Sequence, residues 1–120
     1  MTRLAWEAPG EAGQRNVGPV HLVYDNGYGV AIAGQSDWTL RWTITAPGDH
    51  SWQAPYEYDF DGARWVARDA STEEPFSDSV GEVLEHWQPR LNEVREFVGL
   101  ELRHGPTRLI LQVDGGEVTT

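Results

Sequence analysis

The chain of 120 residues carries 19 acidic and 9 basic side chains, which gives it a net charge of −10 at pH 7. This length is typical of a single domain, and a domain of this size buries roughly two-thirds of the surface of its unfolded chain. Cys is absent from the sequence, which excludes disulfides, thiol nucleophiles and thiolate metal sites. The negative charge also argues against direct binding to nucleic-acid phosphates, which requires basic side chains.

The first 19 residues are predicted to form an extended arm. Between Glu7 and Pro19 the chain holds three Gly, two Pro and few apolar residues, a composition typical of loops. The N-terminus lacks the apolar run of a secretion signal, and no stretch approaches the roughly 18 apolar residues of a membrane span. We therefore expect an arm at 1–19 and a single domain at 20–120, with no secretion signal and no membrane partner.

Strand patterns follow the arm. Two apolar segments, residues 20–24 and 28–33, flank a turn that contains Asn26 and Gly27. An Asn-Gly pair between apolar segments predicts a hairpin because both residues tolerate a positive φ. In residues 38–45 apolar and polar side chains then alternate, which predicts a strand with one buried face. The apolar members of that strand are Trp38, Leu40, Trp42 and Ile44.

Two further hairpins are predicted. Residues 56–60 and 63–67 flank an Asp-Gly turn at Gly62, and residues 100–103 and 108–113 flank a turn at Gly105. Four tryptophans fall on predicted inward faces, either of the strands or of the helix predicted at residues 79–98, so we expect them to lie in the core. They are Trp38, Trp42, Trp65 and Trp87.

Residues 79–98 carry the pattern of an amphipathic helix. Ser79 and Glu82 fit the capping box S-x-x-E, and apolar residues recur at spacings of three and four. Pro89 falls inside this pattern and predicts either a kink or two abutting helices. The helix face that we expect to be buried consists of Val83, Leu84, Trp87, Leu91 and Val94.

The order of these elements indicates the fold class. Strands precede and follow the single helix, and the strand–helix alternation of a parallel α/β sheet is missing. We therefore predict an α+β fold, in which an antiparallel β-sheet, sandwich or small barrel has one amphipathic helix packed on it.

A search for catalytic or metal-binding patterns finds none that is complete. The four His residues lack the spacing of zinc ligands, and no Ser lies in a G-x-S-x-G turn. The segment from Asp59 to Gly62 resembles the opening of a calcium loop, but the later ligands are missing. We therefore expect a protein that is not an enzyme and has no catalytic, cofactor-binding or metal-binding residues and no cofactor.

Candidate partner-binding residues come from two sources. Trp6 and Trp52 lie outside the periodic segments, and an aromatic residue there either anchors a partner or folds back on the sheet. Between Asp69 and Pro89 the chain also holds six acidic residues and no Arg, which indicates either a solubilising surface or a surface for a basic partner. The acidic candidates are Glu73, Glu74, Asp78, Glu82 and Glu85.

The first 24 residues resemble a known family. Thr2-Arg3-Leu4-Ala5-Trp6, then Gly13-Gln14-Arg15, then Gly18-Pro19-Val20-His21-Leu22-Val23-Tyr24, resembles the start of tail proteins from phages of actinobacteria. Those proteins open on T-R-L-x-W, continue with a Gly and an Arg, and enter a strand G-V-x-x-G-V-L-Y. His21 stands where that strand has its second Gly, and the W-N-G-L-V-S-V segment that follows in the family is missing here.

The resemblance implies a structural component of a virion tail, found in the virion or the host cytoplasm. Such subunits look like small β-sandwiches or barrels that join a protein partner, here a homo-oligomeric ring, through arms and strand edges. An acidic lumen would let DNA pass without sticking. The alternative is a small acidic inhibitor or immunity protein, whose stretch 69–89 would cover a basic nucleic-acid-processing enzyme. A third class, a small enzyme or ligand-binding barrel, requires a pocket that the sequence does not reveal.

Overall fold

Antiparallel β-strands in two sheets make up most of this computed structural model, which describes residues 2–7, 18–35, 37–60, 62–114 and 117–119. The first sheet has the order β4-β3-β2-β1-β6-β5 and the second the order β10-β9-β8-β7. The strands are β1 (Thr2–Glu7), β2 (Val20–Val23), β3 (Gly29–Gly34), β4 (Leu40–Thr45), β5 (Asp59–Phe60), β6 (Ala63–Asp69), β7 (Leu84–Leu91), β8 (Phe97–His104), β9 (Thr107–Asp114) and β10 (Glu117–Thr119). Two 3₁₀ helices, Ser51–Tyr56 and Phe76–Ser79, connect them.

The predicted hairpins are confirmed. β2 pairs with β3 around Asn26 and Gly27, β5 with β6 around Gly62, and β8 with β9 around Gly105. The glycines in these turns have φ values of 85° at Gly27, 82° at Gly62 and 57° at Gly105. A side chain with a Cβ rarely adopts such angles, so these Gly residues determine where each strand reverses.

The two sheets face each other across one apolar core. Val20, Leu22, Val30 and Ile32 enter it from the first sheet, and Leu100, Leu102, Leu109 and Leu111 enter it from the second. Phe76 on the second 3₁₀ helix is also buried there. Burial of one such side chain stabilises the fold by about 1.5–3 kcal/mol, so the paired inner faces hold the sheets together. The predicted antiparallel β-structure is confirmed.

The predicted helix at 79–98 is not found. Residues 84–91 form β7, a turn occupies 92–96, and residue 97 begins β8. In that turn Asn92 Oδ1 accepts hydrogen bonds from the backbone N–H groups of Val94 and Glu96, at 3.0 and 2.9 Å. Pro89 would remove a hydrogen bond from a helix but is tolerated in an edge strand. The described residues contain no α-helix, so the α+β class is not supported.

The burial expected for that helix is also wrong. Val83 is 73% exposed and Val94 is 71% exposed, while Trp87 and Leu91 are 46% and 56% exposed. Leu84 is half-buried. Spacings of three and four place side chains on one face of a helix, but in a strand a spacing of three places them on opposite faces. The apolar residues of this segment therefore lie on both sides of the β7–β8 hairpin.

The first residues of the predicted arm belong to the folded domain. β1 lies between β2 and β6 in the first sheet. Gly18 and Pro19 also bind it, because the Leu4 N–H donates to the Pro19 carbonyl at 3.0 Å and the Gly18 N–H donates to the Leu4 carbonyl at 3.1 Å. The rest of the predicted arm, residues 8–17, lies outside the described residues.

We expect core and edge substitutions to differ in their effect on stability. Leu109→Ala should lower the free energy of unfolding by about 2–5 kcal/mol because this fully buried side chain leaves a cavity. Trp87→Ala should cost about 1 kcal/mol because the indole is half exposed. Urea denaturation of both variants measures the two losses, and equal losses would contradict the open position of β7.

Candidate partner-binding cleft

The two sheets are offset at one side of the molecule. β8 packs over β4 and β10 packs over β3. β7 is the neighbour of β8 at the edge of the second sheet, so it lies beyond the edge strand β4. The inner faces of β4 and β7 consequently border an open cleft instead of a closed core.

Aromatic side chains line this cleft. The ring centroids of Trp42 on β4 and Trp87 on β7 lie 5.0 Å apart, with the ring planes tilted by 49°. The cavity beneath them has a volume of about 270 Å³, and Tyr28, Ile44, Leu84 and Leu102 contribute to its wall. None of the described residues that line it carries a formal charge. The cleft therefore presents an apolar surface with a few polar edges from Tyr and Trp.

Strand register explains how these residues reach the cleft. Trp42 is paired with Ile32 and Ile44 with Val30, both of which are core residues. Paired residues of an antiparallel ladder point to the same face, so Trp42 and Ile44 point inward as the alternation predicts. They are nevertheless 40% and 63% exposed, so the second sheet does not fully cover this part of β4. The predicted core positions of Trp38, Trp42 and Trp87 are wrong, while Trp65 is half-buried.

The two strands that border the cleft differ in how readily their free backbone edges can pair with another strand. Among the described residues β4 pairs with β3 and β7 pairs with β8, and each strand has a free outer edge. Pro89 in β7 lacks an N–H group, so its pair with Leu100 must be a non-hydrogen-bonded one and its nitrogen faces the free edge. Pro at this position hinders addition of another strand. The edge of β4 contains no Pro and is the better template for a partner strand.

Of the two tryptophans singled out by the sequence outside the periodic segments, Trp52 does not line this cleft. Trp6 lies in β1 opposite Trp65, and the placement of its side chain is outside the described part. Trp52 lies in the first 3₁₀ helix, half-buried, with its ring 4.9 Å from that of His21 on the outer face of the first sheet. Trp52 thus contacts the sheet, as one of its two interpretations expects, and its role as a partner anchor stays a prediction.

The predicted acidic residues occupy different environments. Glu73 forms a two-point ion pair with Arg68, at 2.7 Å to Nε and 2.9 Å to Nη2, so it has a structural partner. The Glu82 carboxylate occupies the space that a Cβ at Gly105 would need. Glu74, Asp78 and Glu85 are exposed on the turn before the second 3₁₀ helix, on that helix and on β7 respectively.

Two histidines are buried beside polar partners. His21 Nε2 lies 2.8 Å from Thr45 Oγ1, and His104 Nε2 lies 2.9 Å from Tyr24 Oη. Burial lowers the pKa of both imidazoles, and the nearby His50 lowers the pKa of His21 further. Burial also raises the pKa of the Tyr24 phenol. Within the described ranges no group of His, Asp and Glu is arranged to hold a metal ion.

Sequence reasoning assigned the cleft residues to the core, since Trp42 and Trp87 carry the same apolar signal whether a second layer covers them or not.

Among the described residues, no helix has the length and apolar character needed to cross a membrane. Comparison with protein-family models, curated proteins and solved structures finds no match for this chain.

We expect stability to fall as the pH is lowered from about 7.5 to 5.5. His21 and His104 have lowered pKa values in the folded state, whereas in the unfolded chain an imidazole has a pKa of about 6.5. The unfolded state therefore binds protons more readily in this window, so the free energy of unfolding decreases as the pH falls. Urea midpoints at both pH values measure the loss.

His104→Gln should reduce this pH dependence, because it removes one of the two buried imidazoles. His86→Gln, at an exposed position on β7, is the matched control and should leave it unchanged. Equal effects of the two substitutions would show that burial is not the cause.

Proposed function

We propose that this protein is a non-enzymatic assembly protein, a structural component of a phage tail, and that it binds a neighbouring subunit along the cleft between β4 and β7. The observation that carries the proposal is the exposed, uncharged, aromatic cleft in which Trp42 and Trp87 are 40% and 46% accessible. Exposed apolar surfaces of this kind mark interaction sites in soluble proteins. Trp and Tyr are also the residue types that dominate the energetics of protein interfaces.

A protein segment fits the cleft better than a nucleic acid does. The net charge of −10 repels phosphates, whereas an apolar strand would be accepted by the aromatic wall. Such a strand could add to the free edge of β4, with backbone hydrogen bonds supplying affinity and its alternate side chains entering the cleft. The cleft thus supports the strand-edge joining that the N-terminal resemblance implies.

A second copy of the chain is the occupant that we propose. The β7–β8 turn carries Val94, which is 71% exposed, so each subunit presents both an apolar cleft and a projecting turn with one exposed apolar side chain. A projection of one copy that enters the cleft of the next makes a head-to-tail contact, and such contacts close into rings when the rotation allows. This arrangement agrees with a tail subunit in a homo-oligomeric ring.

The test compares exposed tryptophans inside and outside the cleft. We expect the protein to assemble in a concentration-dependent way, as measured by light scattering after size-exclusion chromatography. Trp42→Ala should weaken association by about 2 kcal/mol, or about 30-fold, because a central aromatic anchor is lost. Trp38→Ala is the control, since Trp38 is 66% exposed but does not line the cleft, and it should assemble as the unmodified protein does.

Two outcomes would contradict this proposal. One is a protein that stays monomeric at high concentration, and the other is equal weakening by both substitutions. A monomer that binds basic proteins in a salt-sensitive manner would favour the acidic inhibitor instead, because steering by charge is screened by salt.

A further inference from the structure

The outer face of the second sheet carries a group of arginines on the side away from the cleft. Arg103 on β8 is paired with His86 on β7 and with Arg108 on β9, and paired residues of an antiparallel ladder point to the same face. The neighbouring residues Leu102 and Leu109 lie in the core, so these three side chains point outward. We call this surface the basic face, and its charged or titratable side chains are His86, Arg90, Glu101, Arg103 and Arg108.

A single carboxylate of the basic face is shared by two guanidinium groups. Glu101 Oε1 lies 2.7 Å from Arg108 Nε, and Glu101 Oε2 lies 3.6 Å from Arg90 Nη2. A Cβ at Gly99 would lie 3.3 Å from Arg90 Cβ, so the stem of Arg90 lies across this glycine. The side chains of Arg90 and Arg108 nevertheless stay 42% and 54% exposed. The ion pairs therefore hold both arginines in place and leave the basic face with an excess of positive charge.

Arg103 increases this excess. It is exposed, and within the described ranges it forms no ion pair. Like charges directly opposite each other destabilise a sheet, so the pairing of Arg103 with Arg108 opposes the stability of the isolated subunit. Glu85, at the irregularity between Leu84 and His86, does not pair with them. In a chain with 19 acidic and 9 basic residues, such a row indicates a surface for an anionic partner.

The same chain carries a matching acidic surface. Glu74 and Asp78 are exposed on the turn before the second 3₁₀ helix and on that helix. Among the residues that the structure describes, neither of them forms an ion pair. Phe76 lies between them and is buried in the core, which fixes the segment to the domain. We call residues 74–78 the acidic segment.

We propose that the basic face of one copy of the chain binds the acidic segment of a second copy. The carboxylates of Glu74 and Asp78 bind the guanidinium groups of Arg103 and Arg108, because charge-assisted hydrogen bonds of this kind are the strong ones. The two surfaces are different, so the contact is head-to-tail. The proposal rests on the self-assembly proposed above and adds a charged contact to the apolar contact at the cleft.

A nucleic acid fits the basic face less well than a second copy does. The net charge of −10 repels a phosphate backbone, and the Glu101 carboxylate lies between Arg90 and Arg108, where phosphates would approach. A second copy carries the same net charge, but its charges are unevenly distributed. Only the orientation that brings unlike surfaces together avoids repulsion, so the charges select the head-to-tail contact.

The test exchanges charges between two variants of the full chain, with sedimentation velocity as the measurement. Arg103→Glu should weaken self-association about tenfold, because carboxylates then face each other across the contact. The double variant Glu74→Arg, Asp78→Arg should weaken it in the same way. An equimolar mixture of the two should restore association, because the reversed basic face of one variant meets the reversed acidic segment of the other.

The matched control is Arg64→Glu, which makes the same change of charge at an exposed position on β6 of the first sheet. It should associate as the unmodified protein does. Thermal unfolding checks that each variant is folded, which we expect because exposed charges contribute little to stability. Should Arg103→Glu fail to fold, Arg103→Gln must still weaken association.

Several results overturn the proposal. These are full association of Arg103→Glu, no recovery in the mixture, equal weakening by Arg64→Glu, or binding of a single-stranded DNA oligonucleotide that depends on Arg103. Association that Trp42→Ala weakens and Arg103→Glu does not would contradict this contact alone. The reverse result would contradict the contact at the cleft alone, and a protein that stays monomeric at high concentration would overturn both.

Discussion

The offset between the two sheets is the constraint on which the rest of the structure depends. Apolar inner faces are stable where two layers overlap, as at Leu109 and Ile32, which are fully buried. Because β8 lies over β4, the second sheet runs past the first at one side, and the inner face of β7 loses its cover. An exposed apolar surface arises there from the same alternation of side chains that builds the core.

On the opposite side of the molecule a buried arginine lies between the two sheets. Arg3 on the central strand β1 is 5% exposed, and its Nη2 donates to the Val118 carbonyl of β10 at 2.7 Å. Its guanidinium also lies 5.8 Å from the centre of the Phe76 ring. Burial and the neighbouring Arg68 lower the pKa of Arg3, yet the carbonyl bond and the ring contact compensate. A cation thus connects the two sheets where apolar side chains do not suffice.

Local signals explain what could be predicted from the sequence. The Asn-Gly and Asp-Gly turns and the alternation in residues 38–45 depend on neighbouring residues alone, and they predicted the hairpins and the direction of Trp42 correctly. The helix at 79–98 was wrong because spacings of three and four also occur when Leu84, Trp87 and Leu91 lie in one strand while Val83 and Val94 lie in the segments that flank it. The cleft and the cavity could not be predicted, since they depend on how distant strands overlap.

The proximity of Trp42 and Trp87 has an optical consequence. Two indole rings whose centroids are 5.0 Å apart and whose planes are tilted by 49° share their electronic excitations, and a chiral pair of this kind produces an exciton couplet in the ultraviolet circular dichroism spectrum. The couplet depends on the angle between the rings, so any segment that enters between β4 and β7 changes its amplitude. The protein therefore carries an intrinsic spectroscopic reporter of the occupancy of its cleft, with no added label.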